Sequence, residues 1–175
     1  MSREVAASRA YKGCRLPSET TTMHIALESV DQPAIIQFIG DLDAYQGALY
    51  PAESNYHLSV DALKQPNVLF AVARDDAALA VGCGAVVLFD GYGELKRMFV
   101  PVHNRGRGIA KTIIAFLEAQ AAQRHCPMLR LETGIYQPEA LGLYSRAGYA
   151  RRGPYGDYPD DPLSVFMEKR IAVAA

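Results

Sequence analysis

The run Glu94-Leu-Lys-Arg-Met-Phe-Val-Pro-Val-His-Asn-Arg-Gly-Arg-Gly-Ile-Ala110 carries the chemistry most open to reading. Five basic residues (Lys96, Arg97, Arg105, Arg107, Lys111) fall in or beside it, and no acid lies between Glu94 and Glu118. The run reads as a strand, a Pro-marked exit, a loop with Gly106 and Gly108, and a helix starting near Gly108. Free N–H groups at a helix start, glycines that let a ligand touch backbone, and local positive charge together make an anion site. A pyrophosphate fits it. A P-loop is excluded, because Gly106 and Gly108 are two apart and Ile-Ala stands where Lys-Ser belongs. A dinucleotide fingerprint is excluded as well: Lys111 takes the place of its third glycine, and Gly82-Cys-Gly84 fails in the same way at Val87.

A second segment repeats the order of strand, break and helix. Leu129-Arg-Leu-Glu-Thr133 alternates as a short strand, Gly134-Ile-Tyr-Gln137 breaks it, and Pro138 suits the first turn of a helix. That helix is expected from Glu139 to about Ala147, stopped by Gly148 in a left-handed cap. Arg105-Gly-Arg-Gly108-Ile-Ala110 resembles the coenzyme-A loop Q/R-x-x-G-x-G/A of the GCN5-related N-acetyltransferase (GNAT) superfamily. Gln137-Pro-Glu-Ala-Leu-Gly-Leu-Tyr-Ser-Arg-Ala-Gly-Tyr149 is similar to that superfamily's second signature, N-x-x-A-x-x-L-Y-x-x-x-G-F, with Gln137 for Asn and Tyr149 for Phe. The wider phrasing, including Gly153-Pro-Tyr-Gly-Asp-Tyr-Pro-Asp-Asp161, resembles a bacterial subgroup labelled histone-acetyltransferase-like. That label does not imply histones as substrate.

The resemblance covers about residues 23–170 and implies several things at once. The fold would be a mixed, mostly antiparallel twisted sheet with about four helices and a V-shaped splay between strands four and five. Acetyl-coenzyme A would be the co-substrate. Met98, Phe99 and Val100 would offer backbone to its pantetheine arm. Arg105, Gly106, Arg107, Gly108, Ile109 and Ala110 would cradle the pyrophosphate, with Gln137 and Tyr144 completing the set. The acceptor would be a primary amine of a small polar molecule or a peptide, acetylated directly in a ternary complex. A homodimer through the late strands is left open.

Acetyl transfer from a thioester needs a neutral amine, a stabilised carbonyl oxygen and a protonated leaving thiolate. Tyr144 matches the family's general acid, though its spacing also suits a core aromatic. Two acids compete as base. Glu94 takes the strand position where many relatives carry a catalytic Glu, and Glu132 ends the next strand facing the splay. Either is equally a strand-end carboxylate paired with Arg97 or Arg130, and attack through ordered water needs no single base. For the acceptor, the resemblance points to Tyr50, Glu53 and Ser54 in one loop and to Tyr155 and Tyr158 in another, where the same tyrosines would also serve as lids on the core. A coenzyme-A-binding regulatory module without turnover, or an enzyme using longer acyl groups, fits the same motifs.

The remaining chain supplies the elements that hold these residues. Met23–Leu27 opens as a strand; Asp31 is an expected N-cap before Pro33, and the helix after it turns Ile35, Ile36, Ile39, Leu42 and Ala44 toward a core, closing near Gln46-Gly47. A short helix is expected from Ser59 to about Lys64, then a hairpin from Val68 through Arg74-Asp-Asp-Ala to Phe89, then the Glu94 strand. Ile109, Ile113, Phe116 and Leu117 share one face of the next helix, and Ser164–Arg170 closes as a strand. The order is β-α-α-β-β-β-α-β-α-β-β. Residues 1–22 are polar and irregular and are expected to form a flexible arm, with one acetyltransferase domain over 23–175.

Bulk properties narrow the partners. With 175 residues, a net charge of −1 and pI near 6.4, the chain has one domain's length and no general nucleic-acid surface. No apolar run approaches the roughly 18 residues that would suit a membrane span, and no secretory core is seen. Cys14, Cys83 and Cys126 form no CxxC pair, a pattern of a reducing compartment, hence the cytoplasm. His24, His57, His103 and His125 are scattered without ligand spacing, so no metal is expected.

Overall fold

Alternation along Val68–Arg74 (β2) divides the interior into two layers. Leu69, Ala71 and Ala73 are buried on one side of the strand, and Phe70 and Val72 on the other. Apolar side chains on both faces make this an inner strand, covered by helices above and below. The computed structural model describes residues 23–173, so the arm expected over 1–22 lies outside the described residues.

Six more strands join β2: His24–Leu27 (β1), Ala80–Phe89 (β3), Tyr92–Phe99 (β4), Met128–Gly134 (β5), Ala150–Arg152 (β6) and Ser164–Arg170 (β7). Four helices intervene: Pro33–Leu49 (α1), Val60–Leu63 (α2), Ile109–Ala122 (α3) and Pro138–Arg146 (α4). The sheet order is β1-β2-β3-β4-β5-β7-β6, antiparallel everywhere except β4–β5. The crossover that a parallel pair requires is α3. Element order and mixed sheet agree with the sequence reading.

Helix α3 packs Ile109, Ile113 and Leu117 on the Leu69 face of β2, while α1 packs Ile35 and Ile39 with Phe70, Val72 and Cys83 on the other. Gly82 and Gly84 of β3 have a packing role: a Cβ at Gly82 would sit 3.0 Å from Ile109, and one at Gly84 would strike the sulfur of Met98. Their failed fingerprint is therefore a close approach of helix and strand, not a ligand loop.

Two details of α1 differ from expectation. Its N-cap is Gln32 rather than Asp31, with no side-chain cap, and the helix runs past Gly47 to Leu49. Pro33 at the first position has no N–H to satisfy, which lowers the demand for a cap, and Asp31 pairs instead with Lys64 at 2.8 Å. By contrast Ser59 caps α2, accepting from the Ala62 N–H at 3.2 Å.

The feature that opens the sheet lies in β4. From Cys83 to Ala85 β3 advances two residues while its partner advances three, from Phe99 to Lys96. The extra residue is a β-bulge, and Arg97 within it has φ +56°, a left-handed conformation that non-glycine residues seldom adopt. Pairing of β4 with β5 is confined to Gly93–Leu129, Glu94–Arg130 and Leu95–Leu131. The two strands then diverge, because the bulge bends β4 while β5 stays on β7 as far as Gly134–Ser164.

Candidate active site

Two cavities meet in the opening between β4 and β5. The larger, of about 570 Å³, runs along Met98, Phe99 and Val100 to Arg105, Gly106 and the first turn of α3, with α4 as its other wall. The smaller, of about 100 Å³, is bounded by Gln46 and Tyr50, by Ser54–Leu58, and by Lys96, Arg97 and Glu132. Leu42, Met98, Gln137, Ala140 and Tyr144 line both. Tyr144 therefore stands where the two join.

The larger cavity ends in an anion cradle. Gly106 and Gly108 have φ +77° and +79°, and Gly108 caps α3 without any side chain over the helix start. The first-turn N–H groups are left open, as an anion would require. Arg105 donates from Nε to the Val100 carbonyl at 3.1 Å, tying the loop to the end of β4. Gly108, Ile109, Ala110 and Lys111 border the cavity, whereas Arg107 does not and donates to Asn104 at 3.1 Å. Lys96 and Arg97, grouped with this loop by sequence, precede Met98 on the same strand and border the smaller cavity instead.

Those two cations have acidic partners. Arg97 is buried and donates to Asp43 of α1 and, from Nε at 2.9 Å, to the Leu58 carbonyl. It thus fastens the loop after α1 to the bulge. Lys96 lies 2.9 Å from Glu94 and also donates to the Tyr158 hydroxyl, which donates to Glu94 at 2.5 Å. Burial, then the facing Glu94, push the Tyr158 phenol far above its ordinary range, so it keeps its proton. Glu94 is the buried corner of this triangle and does not border the cavity.

Glu132 does reach the cavity. It accepts from the Ser164 hydroxyl at 2.7 Å, and burial raises its carboxyl pKa, opposed by that bond and by Lys96. Gln137 accepts from the Thr133 hydroxyl at 2.9 Å and the Gly134 N–H at 3.3 Å, closing the end of β5. Tyr144 is buried on α4 with its ring 5.9 Å from that of Tyr149; burial first, then Glu132, drive its phenol far upward. Before reaction it is held as a neutral O–H.

Of the residues expected at the acceptor, Tyr50 and Ser54 border the small cavity. Tyr50 accepts from the Tyr136 N–H at 2.9 Å and stacks on that ring at 5.8 Å. Glu53 does not border it and is solvent-exposed, since the 3-10 turn Ala52–Ser54 points it outward. Tyr155 and Tyr158 do not border it either. Tyr155 is buried among Tyr92, Tyr158 and Phe166, the lid on the core that tyrosines there would equally make. Tyr158 braces Lys96 from behind. Gln46, Thr133 and Lys96 border the cavity without having been singled out for it, and Tyr56 borders it from the same expected loop as Tyr50 and Ser54. Only Lys96 left a signal: two residues from Glu94 on one strand, it shares that residue's face.

Comparison with known proteins bears on this geometry. The family model described as "Acetyltransferase (GNAT) family" matches residues 36–149. An IAA acetyltransferase of Azospirillum brasilense is 47% identical, covering 84% of this chain and 97% of its own. The N-acetyltransferase YsnE of Bacillus subtilis is 31% identical over 85% of this chain and its full length. A solved Klebsiella pneumoniae protein, described as an acyl-CoA N-acyltransferase, is 38% identical with a TM-score of 0.72, covering 87% of this chain and 99% of that one. Among the described residues no helix is long and apolar enough to cross a membrane. The family match spans the splayed strands, the glycine loop and the Tyr144 helix together, and this chain belongs to the GNAT acetyltransferase family, as an acyltransferase.

Proposed function

We propose that the protein transfers an acetyl group from acetyl-coenzyme A to a primary amine, directly between two guests that meet at Tyr144. The observation that carries this reading is the pair of cavities sharing Tyr144, Gln137 and Met98, one ending in an anion cradle and the other in Glu132. Acetyl-coenzyme A supplies the activated acyl group. Val100 and Met98 hold its arm through strand-edge backbone, and Arg105, Gly106, Gly108 and the start of α3 hold its phosphates. The Klebsiella relative, described as an acyl-CoA N-acyltransferase, agrees with that donor class.

Glu132 takes the proton that an ammonium acceptor loses on becoming nucleophilic, a task suited to a carboxyl whose pKa burial has raised. As the N–C bond forms and the C–S bond breaks, Tyr144 delivers its phenolic proton to the departing sulfur. The amine's second proton passes through solvent to the Tyr144 oxygen and restores the phenol, and Glu132 releases the first to bulk water. Glu94 acts through Lys96 and Tyr158 rather than on the guest. The histone-acetyltransferase-like resemblance brings no acceptor with it; the amine is read from the cavity.

The test is calorimetric titration with acetyl-coenzyme A, followed by mass-spectrometric detection of acetylated product with a panel of amines. Micromolar binding that Gly108→Asp abolishes, together with product, is expected. Binding without product from any amine would leave a regulatory module. Absence of binding to the folded protein would overturn the reading outright. Butyryl-coenzyme A in parallel reports acyl-chain preference.

A further inference from the structure

The small cavity holds two opposite charges that do not satisfy one another. Glu132 has Ser164 as its hydrogen-bond partner, and Lys96 has Glu94 and Tyr158. Both border the same space, and each is close enough for Lys96 to lower the Glu132 pKa. An ammonium has three N–H donors. Tyr158 accepts from it and Glu94 holds it as an ion pair, so donor capacity remains for a guest.

The arrangement holds Lys96 ready. Its side chain is 15% exposed and that of Glu94 7%, so the pair sits largely out of water. A long lysine ordinarily surrenders rotamer freedom when it grips a ligand; here Glu94 and Tyr158 have already fixed it. Arg97 lines the same wall with its charge already paired to Asp43, which leaves Lys96 as the cation facing the guest. Fixed unlike charges facing one cavity are complementary to a dipolar guest of reversed order.

We propose that the acceptor is a small amino acid or amino-acid-like zwitterion, its ammonium drawn to Glu132 and its carboxylate held by Lys96. Lys96 is then the residue that sets acceptor specificity. A peptide N-terminus is disfavoured, since its neighbouring carboxyl is spent in an amide. The inference rests on the reading of this cavity as the acceptor site.

The experiment compares kcat/KM for free L-amino acids against their carboxamides, with benzylamine as a neutral-bodied amine and acetyl-coenzyme A as donor. Wild type is expected to favour the free acid by roughly tenfold or more, as for a buried charge contact. Lys96→Met should bring that ratio near one, chiefly through KM. Because Lys96→Met strands Glu94, the double variant Glu94→Gln/Lys96→Met removes both charges and should show the same loss. Equal rates for acids and amides in wild type, or a preference that survives the double variant, would overturn the inference. Acetylation of benzylamine but of no amino acid would defeat it while the acetyltransferase reading stands. Failure of every amine with donor bound would defeat both.

Discussion

Replacing Arg97 distinguishes the bulge from an ordinary strand. In an extended strand, glycine is less stable than alanine by about 0.5–1 kcal/mol, because it loses more backbone freedom on folding. At φ +56° the order should reverse. The left-handed region costs an L-residue about 1–2 kcal/mol that glycine is spared, so Arg97→Gly should exceed Arg97→Ala by about 0.5–1 kcal/mol net. Both variants should fall below wild type. The guanidinium donates to the Leu58 carbonyl and to Asp43. The first loss is worth about 1.5–3 kcal/mol as a charge-assisted bond. Asp43, with a side chain 37% exposed, recovers hydration, and its share stays under about 1 kcal/mol. Arg97→Ala should therefore cost about 2–4 kcal/mol. Urea unfolding followed by circular dichroism, with m-values matched across the three proteins, measures this directly. Alanine equal to or better than glycine would refute the claim that the bulge, rather than the side chain alone, fixes Arg97.

Four further outcomes are expected. Tyr144→Phe should lower kcat by about a hundredfold, at the lower end of what general acid catalysis contributes, and leave the calorimetric affinity for acetyl-coenzyme A unchanged; an unaltered kcat would make Tyr144 a core aromatic. With Glu132 raised by burial, kcat/KM should climb with pH through a value above the ordinary carboxylate range, and Glu132→Gln should abolish that limb. The same shift makes the folded state hold its proton longer than the unfolded chain, so Glu132 costs stability as pH rises from the ordinary carboxylate range through the folded value, and Glu132→Gln should flatten the melting profile there. Gly134→Ala would place a Cβ 2.1 Å from the Tyr50 ring and hydroxyl, an overpacking worth about 1–3 kcal/mol that should raise the acceptor KM more than the donor affinity, as steady-state kinetics would report.

Much of the frame was legible because it depends on local chemistry. Period-two alternation in Val68–Arg74, glycine at the positive-φ position before α3, and Pro138 opening α4 each state their own backbone. What the sequence left obscure depends on long-range register. Nothing local marks Arg97 as left-handed, so the point where β4 leaves β5 could not be read, and Lys96 and Arg97 fell in with the phosphate loop they adjoin in sequence. The two candidate bases looked alike as strand carboxylates. Pairing across more than 60 residues, Glu94 with Tyr158, removes one from the cavity, and only the folded chain makes that pairing. Asp31 shows the reverse: a good capping residue unused because proline lessened the need.

The splay has a consequence for solubility as well. Unpaired strand backbone invites other chains to add themselves, and proteins usually blunt it at the rims of their sheets. Here the outer rims are short: β1 has four residues and β6 three, the latter carrying Arg151 and Arg152. The two edges of the splay, Lys96–Phe99 and Glu132–Gly134, are each paired on one side only and face each other inside the molecule. A guest slender enough to lie along them enters, while a neighbouring sheet edge, flanked by its own strands, finds no room. The protein can keep reactive backbone exposed for its ligand without offering it to its own copies.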